Sequence, residues 1–302
     1  MRVGLTGASG FIASALASAL AARGDEVVRF VRPESAPTHG PSIRWDPARG
    51  VLDDDDARRV GGLDAVVNLA GAGIGDRRWS EARRALLRSS RLLATELIVQ
   101  TLSTLGASTL VNGSAVGYYG SRGDEILDES SSAGDDFLAR LCVDWEATAE
   151  RAPSGVRVAH LRTGIVLDVH GGALARQLPL FRLGLGGRLG HGRQWLSPIS
   201  LADEVRAILW ILEHDLRGPV NLTAPSPLTN ADFTRTLGAA LGRPTLLAVP
   251  RPALALALGS GLTDGALLAS QRVVPTRLLK SGFAFESADV TAILEAVLAR
   301  SN

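Results

Sequence analysis

The two tyrosines of the chain, Tyr118 and Tyr119, stand side by side between Gly117 and Gly120, shortly after Ser114. Phenol and hydroxyl groups gathered in a glycine-bracketed loop can pass a proton to or from a bound ligand. The competing reading is that the two rings only pack the loop. A second set of residues lies at the N-terminus, where Gly7-Ala8-Ser9-Gly10 ends an apolar run and helical spacing begins at once with Phe11, Ile12, Leu16 and Leu20. Gly7 permits a backbone angle closed to other residues, and Gly10 lets a ligand approach the main chain. The helix beyond presents unpaired N–H groups carrying a partial positive charge. A diphosphate fits such a turn, and Ala13 takes the place of the third glycine of the usual dinucleotide fingerprint. Gly7, Ser9, Gly10, Phe11 and Ile12 are therefore the first candidate cofactor contacts.

These groups need strands that end in one crevice. Residues 26–31 read as a second strand ending at Arg32-Pro33. An acidic residue near that point suits the ribose of NAD, whereas an arginine suits a 2′-phosphate, so Arg32 favours NADP(H) over NAD(H). Residues 43–45 suggest a short third strand, and residues 65–70 a fully apolar one followed by Gly71-Ala72-Gly73. Loops at the carboxyl ends of parallel strands line the ligand crevice, so Leu69, Ala70 and Gly71 would let a cofactor pass close to the backbone. Residues 80–105 form a long helix whose arginines 83, 84, 88 and 91 read mostly as a solvated face. A strand over residues 109–113 delivers Ser114 and the tyrosine loop to the nicotinamide end of a cofactor laid across the sheet. A helix from about 134 to 150 carries Cys142, Trp145 and Glu146. A strand over 156–161 then ends in Arg162-Thr163-Gly164, which adds Arg162 and Gly164 to the cofactor contacts.

This alternation predicts an α/β protein with a doubly wound parallel sheet and right-handed crossovers. The dinucleotide-binding domain is assigned to residues 1–167, with later segments free to return to it. Residues 168–302 are less regular, with a glycine-rich stretch at 183–192 and capping boxes at Ser200/Asp203 and Thr229/Asp232. They read as a smaller C-terminal α/β substrate domain closing over the crevice.

Composition narrows the function classes. With 302 residues, 46% hydrophobic and 21% charged, the chain is an ordinary globular protein, and its net charge of +1 offers no field for nucleic acid or an anionic membrane. One cysteine excludes an internal disulfide and suits a reducing compartment. No bilayer-length apolar stretch and no signal-peptide pattern is evident, which points to the cytoplasm. The acidic run at residues 53–56 reads as the start of a solvated helix rather than a metal site. The five histidines (39, 160, 170, 191 and 214) are scattered without ligand spacing, so no metal is expected, and His160 reads as a satisfied core residue. Without a Gly-x-Ser-x-Gly elbow, hydrolase chemistry of that kind is disfavoured.

Four stretches together resemble the extended short-chain dehydrogenase/reductases: Thr6-Gly7-Ala8-Ser9-Gly10-Phe11-Ile12, Val67-Asn68-Leu69-Ala70-Gly71, Ser114-Ala115-Val116-Gly117-Tyr118-Tyr119-Gly120 and Leu161-Arg162-Thr163-Gly164-Ile165-Val166-Leu167. Arg78-Trp79, Gly134-Asp135-Asp136-Phe137-Leu138, Arg182-Leu183-Gly184-Leu185-Gly186-Gly187, Gly192-Arg193-Gln194-Trp195 and Gln271-Arg272-Val273-Val274-Pro275 are similar, more narrowly, to the atypical NADP-binding "epimerase family" subgroup with its own C-terminal domain. The resemblance implies a Rossmann-type fold, NADP(H) and a substrate that is generally unassigned in the subgroup.

The chain departs from the superfamily where the proton is moved. The usual Tyr-x-x-x-Lys pair falls on Leu138 and Cys142, the usual asparagine on Arg91, and only Ser114 matches. Tyr118 or Tyr119 could replace the acid, positioned by Ser114 with Arg91 stabilising negative charge. Alternatively, Cys142 could contribute a thiol if its pKa were lowered. Two functions follow as expectations: an NADP-dependent oxidoreductase or epimerase acting on a small polar, sugar-like carbonyl or alcohol, or a catalytically degenerate NADP(H)-binding sensor or interaction protein. The long helices starting near Ser80 and Asp136 could pair across a homodimer or cover the sheet.

Overall fold

The structure is a computed structural model that describes residues 1–35 and 40–299. Short apolar segments rich in Val, Leu and Ile form β1 (Arg2–Thr6), β2 (Glu26–Val31), β3 (Ser42–Asp46), β4 (Val51–Leu52), β5 (Ala65–Asn68) and β6 (Thr109–Ala115). β7 (Ile126–Leu127) stays apart and pairs with Arg272–Val273, while β8 (Arg157–Thr163) rejoins the main sheet. That sheet has eight strands in the order Gly218–Leu222, β8, β6, β5, β1, β2, β3, β4. All its pairings are parallel except that of β3 with β4. A parallel sheet is buried on both faces, which is why β5 and most of β6 and β8 read as continuous apolar runs.

Side chains alternate between the two faces. On one face Val3, Leu5, Val67 and Leu161 pack with Leu16 and Leu20 of α1 (Phe11–Ala22) and with a helix near residue 208. On the other, Val28, Val66 and Leu110 pack with Ile98 and Leu102. Full burial of each such side chain contributes about 1.5 to 3 kcal/mol. Further helices include α2 (Asp54–Val60), α3 (Glu81–Leu105), α4 (Phe137–Ala149), α5 (Gly172–Arg182), α6 (Leu201–Glu213), α7 (Asn230–Ala240) and α8 (Arg251–Leu258). Their starts are set locally. Asp53, Ser80, Asp136, Ser200 and Thr229 each accept a hydrogen bond from the N–H three residues on, worth about 1 kcal/mol apiece. Asp56 departs from the solvated run expected of it, because its carboxylate turns inward and accepts Arg44 Nε at 2.6 Å.

Beyond β9 (Ile165–Asp168), which pairs with Pro198–Ser200, a separate core forms. Leu174, Leu178 and Phe181 of α5, Phe233 and Leu237 of α7, and Ile293, Leu294 and Val297 of the helix Val290–Ala299 build it. The chain does not divide cleanly at β9. Gly218–Leu222 returns to the main sheet beside β8, and α6 packs its apolar face on α1. Among the described residues, no helix is long and apolar enough to cross a membrane.

Candidate active site and cofactor crevice

The glycine turn between β1 and α1 has the geometry its residues require. Gly7 sits at φ +64°, Gly10 donates its N–H to Gly7 O at 2.7 Å, and Gly10 caps α1 without any side-chain acceptor. The first-turn amides of α1 are therefore open to an anion. A Cβ on Gly7 would lie 2.8 Å from Leu69 O, so the turn and the loop after β5 touch main chain to main chain. Thr6 fixes that contact. Its Oγ1 accepts the N–H groups of Leu69 and Ala70 at 3.0 and 3.1 Å and donates to Asn68 Oδ1 at 2.7 Å. Asn68 in turn donates to Asn112 Oδ1 and Thr95 Oγ1, and Trp145 Nε1 donates to Thr95. This buried polar chain ties β1, β5, β6, α3 and α4 together under the crevice.

A cavity of about 680 Å³ opens over the turn, bounded among others by Gly7, Ser9, Arg29, Arg32, Ala70 and Gly71. Its volume suits a cofactor-sized ligand. Of the other residues expected here, the Phe11 ring stands against Gly171 and Gly172, and Ile12 and Leu69 pack onto the core beneath. Gly164 lies farther along, pressed between Ser197 O and Thr223, where no side chain could fit.

At the ends of β6 and β8 the polar groups converge. Ser114 Oγ donates to Glu146 Oε1 at 2.6 Å, and Arg162 donates to both oxygens of the same carboxylate at 2.9 Å each. Arg162 Nη1 also donates to Tyr119 OH at 3.1 Å, which passes its own proton to Asn221 Oδ1 at 2.7 Å. Burial would weaken the charge on Arg162, but the hydrogen bonds to Glu146 outweigh it and hold the guanidinium protonated. The Arg162 guanidinium lies over the Tyr118 ring, its Cζ 3.4 Å from the centroid, and the two tyrosine rings meet edge to face at 5.3 Å.

The candidates named from sequence thus take different places. Tyr119 is fully buried, and burial pushes its phenol up to about 12. Its hydroxyl is committed on both sides, to Arg162 and Asn221. Tyr118 keeps partial exposure beside it. Ser114 commits its proton to Glu146. The lowered pKa that a Cys142 thiolate requires is not met, because burial pushes that thiol up to about 12. Arg91 donates to the carbonyls of Ala72 and Leu87, both at 3.0 Å, and stacks 5.1 Å from the Trp145 ring centroid. Leu138, at the position of the superfamily's tyrosine, lies against Gly117, next to Tyr118.

Glu146 and Asn221 escaped sequence reasoning. Glu146 follows Cys142 by one helical turn on the buried face of α4, and an acid on an apolar stripe is the signal that could have found it. Among the described residues, no group of three or more His, Cys, Asp or Glu is placed to hold a metal ion, and His39 lies outside the described residues. His160 is buried, with Nε2 2.7 Å from Glu150 Oε1.

Comparison with known proteins fits this geometry. Residues 3–222 match the model of the NAD dependent epimerase/dehydratase family, and residues 249–297 match a domain of unknown function, DUF1731. The epimerase family protein MT2273 of Mycobacterium tuberculosis is 48% identical over 285 residues, covering 94% of this chain and 93% of its own length. The crystal structure of human epimerase family protein SDR39U1 (isoform 2) with NADPH superposes with a TM-score of 0.89 at 35% identity, covering 99% of both chains. A nucleoside-diphosphate sugar epimerase from Corynebacterium glutamicum superposes at 0.78 with 34% identity, covering 99% of this chain and 58% of that one. With its family model matched over residues 3–222, which carry the glycine turn and the parallel sheet, the chain belongs to the NAD dependent epimerase/dehydratase family.

Proposed function

We propose that the protein is an NADP(H)-dependent oxidoreductase or epimerase acting on a small polar carbonyl or alcohol, with Tyr118 as its proton-transferring group. The cofactor part rests on the open turn at Gly7 and Gly10 and on the rim of the cavity. There Arg29, Arg32 and Ser35 gather at the end of β2, where an NAD enzyme would carry an acid. The human relative's NADPH complex supports the same choice.

In this reading the glycine turn would hold the diphosphate and Arg32 and Ser35 would meet the 2′-phosphate, while Gly164 and the tyrosine loop would serve the reactive end. Bound NADP(H) supplies or accepts the hydride. The chain's own residues supply the proton and the orientation. Tyr118 is the phenol that stays accessible, and the Arg162 guanidinium over its ring holds it in place beside the crevice. Glu146 keeps that guanidinium in place, and Ser114 and Tyr119 keep Glu146 and Arg162 in place. Leu138 and Cys142 cannot move the proton, the first for want of a polar group and the second because its thiol stays protonated.

The Arg162–Tyr118 stack is the observation that carries the assignment. Its test is a screen of carbonyl substrates with NADPH and of alcohols with NADP+, sugar nucleotides included, followed by NADPH absorbance and, for epimerisation, which leaves no net change in cofactor, by analysis of the products. Turnover in the wild type that is lost in Tyr118→Phe with NADPH affinity kept supports it. Tight NADPH binding without turnover on any of these substrates would instead favour the sensor.

A further inference from the structure

Two arginines of α3 turn away from solvent and end beneath the same loop. Arg83 donates through Nη2 to Gly73 O, and Arg91 donates through Nη1 to Ala72 O at 3.0 Å, so neighbouring carbonyls each receive one guanidinium. Among the described residues Arg91 has no carboxylate partner, and Arg83 has a single long one, shared with another arginine. The carboxylate nearest to Arg83 is that of Asp76, 3.7 Å away and already held by Arg176 at 3.0 Å. The Arg83 side chain is 12% exposed, and its Nε–H is buried with no acceptor among the described residues. The partners of Arg91 among the described residues are the main-chain carbonyls of Ala72 and Leu87 and the Trp145 ring, with no carboxylate among them. Burial and the repulsion of Arg83 both work against its charge.

The loop above them is secured from several sides. Trp79 Nε1 donates to Ile74 O and its ring meets Phe137 edge on at 5.4 Å. Arg78 donates to the carbonyls of Leu256 and Ala257, and Arg176 to Gly75 O. The roof thus joins both halves of the molecule over the two guanidinium groups. Gly71, which borders the cofactor cavity, lies close against the Arg91 side chain, where an added Cβ would come within 3.1 Å of it.

Holding two like charges close together in a partly desolvated place, one with an unused N–H, is costly unless an anion completes the site. We propose that Arg83 and Arg91 bind an anionic group of the substrate, a carboxylate or a phosphate, beside the nicotinamide end of the crevice. This rests on the NADP(H) reading above and narrows its substrate class to an anion-bearing carbonyl or alcohol. The same chemistry could come from the cofactor's own diphosphate, and the experiment separates the two.

Wild-type protein saturated with NADPH is titrated with inorganic phosphate and with malonate at constant ionic strength, reading NADPH fluorescence and the unfolding midpoint. The same titrations are run on Arg83→Gln, Arg91→Gln and Arg91→Lys. At least one probe is expected to bind the loaded wild type, with affinity falling roughly tenfold to a hundredfold in either glutamine variant and less in Arg91→Lys. Probe binding confined to the NADPH-free protein and competitive with NADPH would assign the pair to the diphosphate and overturn the proposal. So would no binding to the loaded wild type, or unchanged affinity in folded Arg83→Gln and Arg91→Lys. Failure of the wild type to bind NADPH at all would instead sink the cofactor reading, and it is visible before any probe is added.

Discussion

Arg162 and Glu146 face each other through two parallel hydrogen bonds, Nε to Oε1 and Nη2 to Oε2, both 2.9 Å, with side chains only 4% and 11% exposed. A two-pronged pair at this depth is a positioning device more than a source of stability, because desolvation offsets much of the attraction. Breaking one side is another matter. Glu146→Ala leaves a buried guanidinium with no counter-charge and is expected to lower unfolding stability by about 3 to 5 kcal/mol in urea melts. A loss below about 1 kcal/mol would mean that solvent reaches Arg162 freely.

The two tyrosines should separate by readout. Tyr119→Phe removes a hydroxyl that satisfies both Arg162 and Asn221, so it should cost about 1 to 3 kcal/mol of stability and keep turnover within about tenfold. Tyr118→Phe should leave stability within about 0.5 kcal/mol and lower kcat by about 100-fold to 10,000-fold. The opposite pattern in paired melting and rate measurements would move the proton transfer to Tyr119.

Cys142 offers a direct check on the site's electrostatics. With its thiol buried and pushed up to about 12, labelling by an aromatic disulfide reagent should be slow in native protein at pH 7.5 and fast only in denaturant. Cys142→Ala should keep turnover. Fast stoichiometric labelling of the native protein would restore the thiol alternative.

Glu204 sets a pH dependence of stability. It is fully buried at the start of α6, accepts Thr163 Oγ1 at 2.8 Å through one oxygen and has no partner for the other among the described residues, and burial raises its pKa from 4.5 to about 8. The folded state therefore holds this proton more tightly than the unfolded one. Its contribution is fully present below about pH 4.5, declines as pH rises and is lost above about 8. Glu204→Gln mimics the neutral acid. Its unfolding midpoint should match the wild type at pH 5 and exceed it by roughly 5 °C or more at pH 8.5. A gap independent of pH would show that Glu204 is ionised in the fold.

Local features were readable in the sequence because the chain near them dictates them. Gly7 and Gly10 form the turn that their conformational freedom allows, and Ser200 and Thr229 cap the helices that their spacing with Asp203 and Asp232 announced. What stayed hidden depends on distant partners. Asn221 meets Tyr119 across 102 positions only because the short strand Gly218–Leu222 returns beside β8, and its Gly-Pro start gives little strand signal. Glu146 becomes a site residue only once β8 carries Arg162 alongside α4. Arg83 reads as part of a solvated face, and Arg91 stands out only through the family resemblance, because helical spacing cannot foresee a loop folding down over them.

The most direct test of the cofactor crevice is a fluorescence titration of the purified protein with NADPH and with NADH, repeated on Arg32→Ala. NADPH is expected to bind the more tightly. The variant should weaken NADPH roughly tenfold to a hundredfold, the worth of one charge-assisted phosphate contact, while NADH affinity stays near its starting value. Equal affinity for the two cofactors that Arg32→Ala leaves unchanged, or no binding of either, would contradict the account.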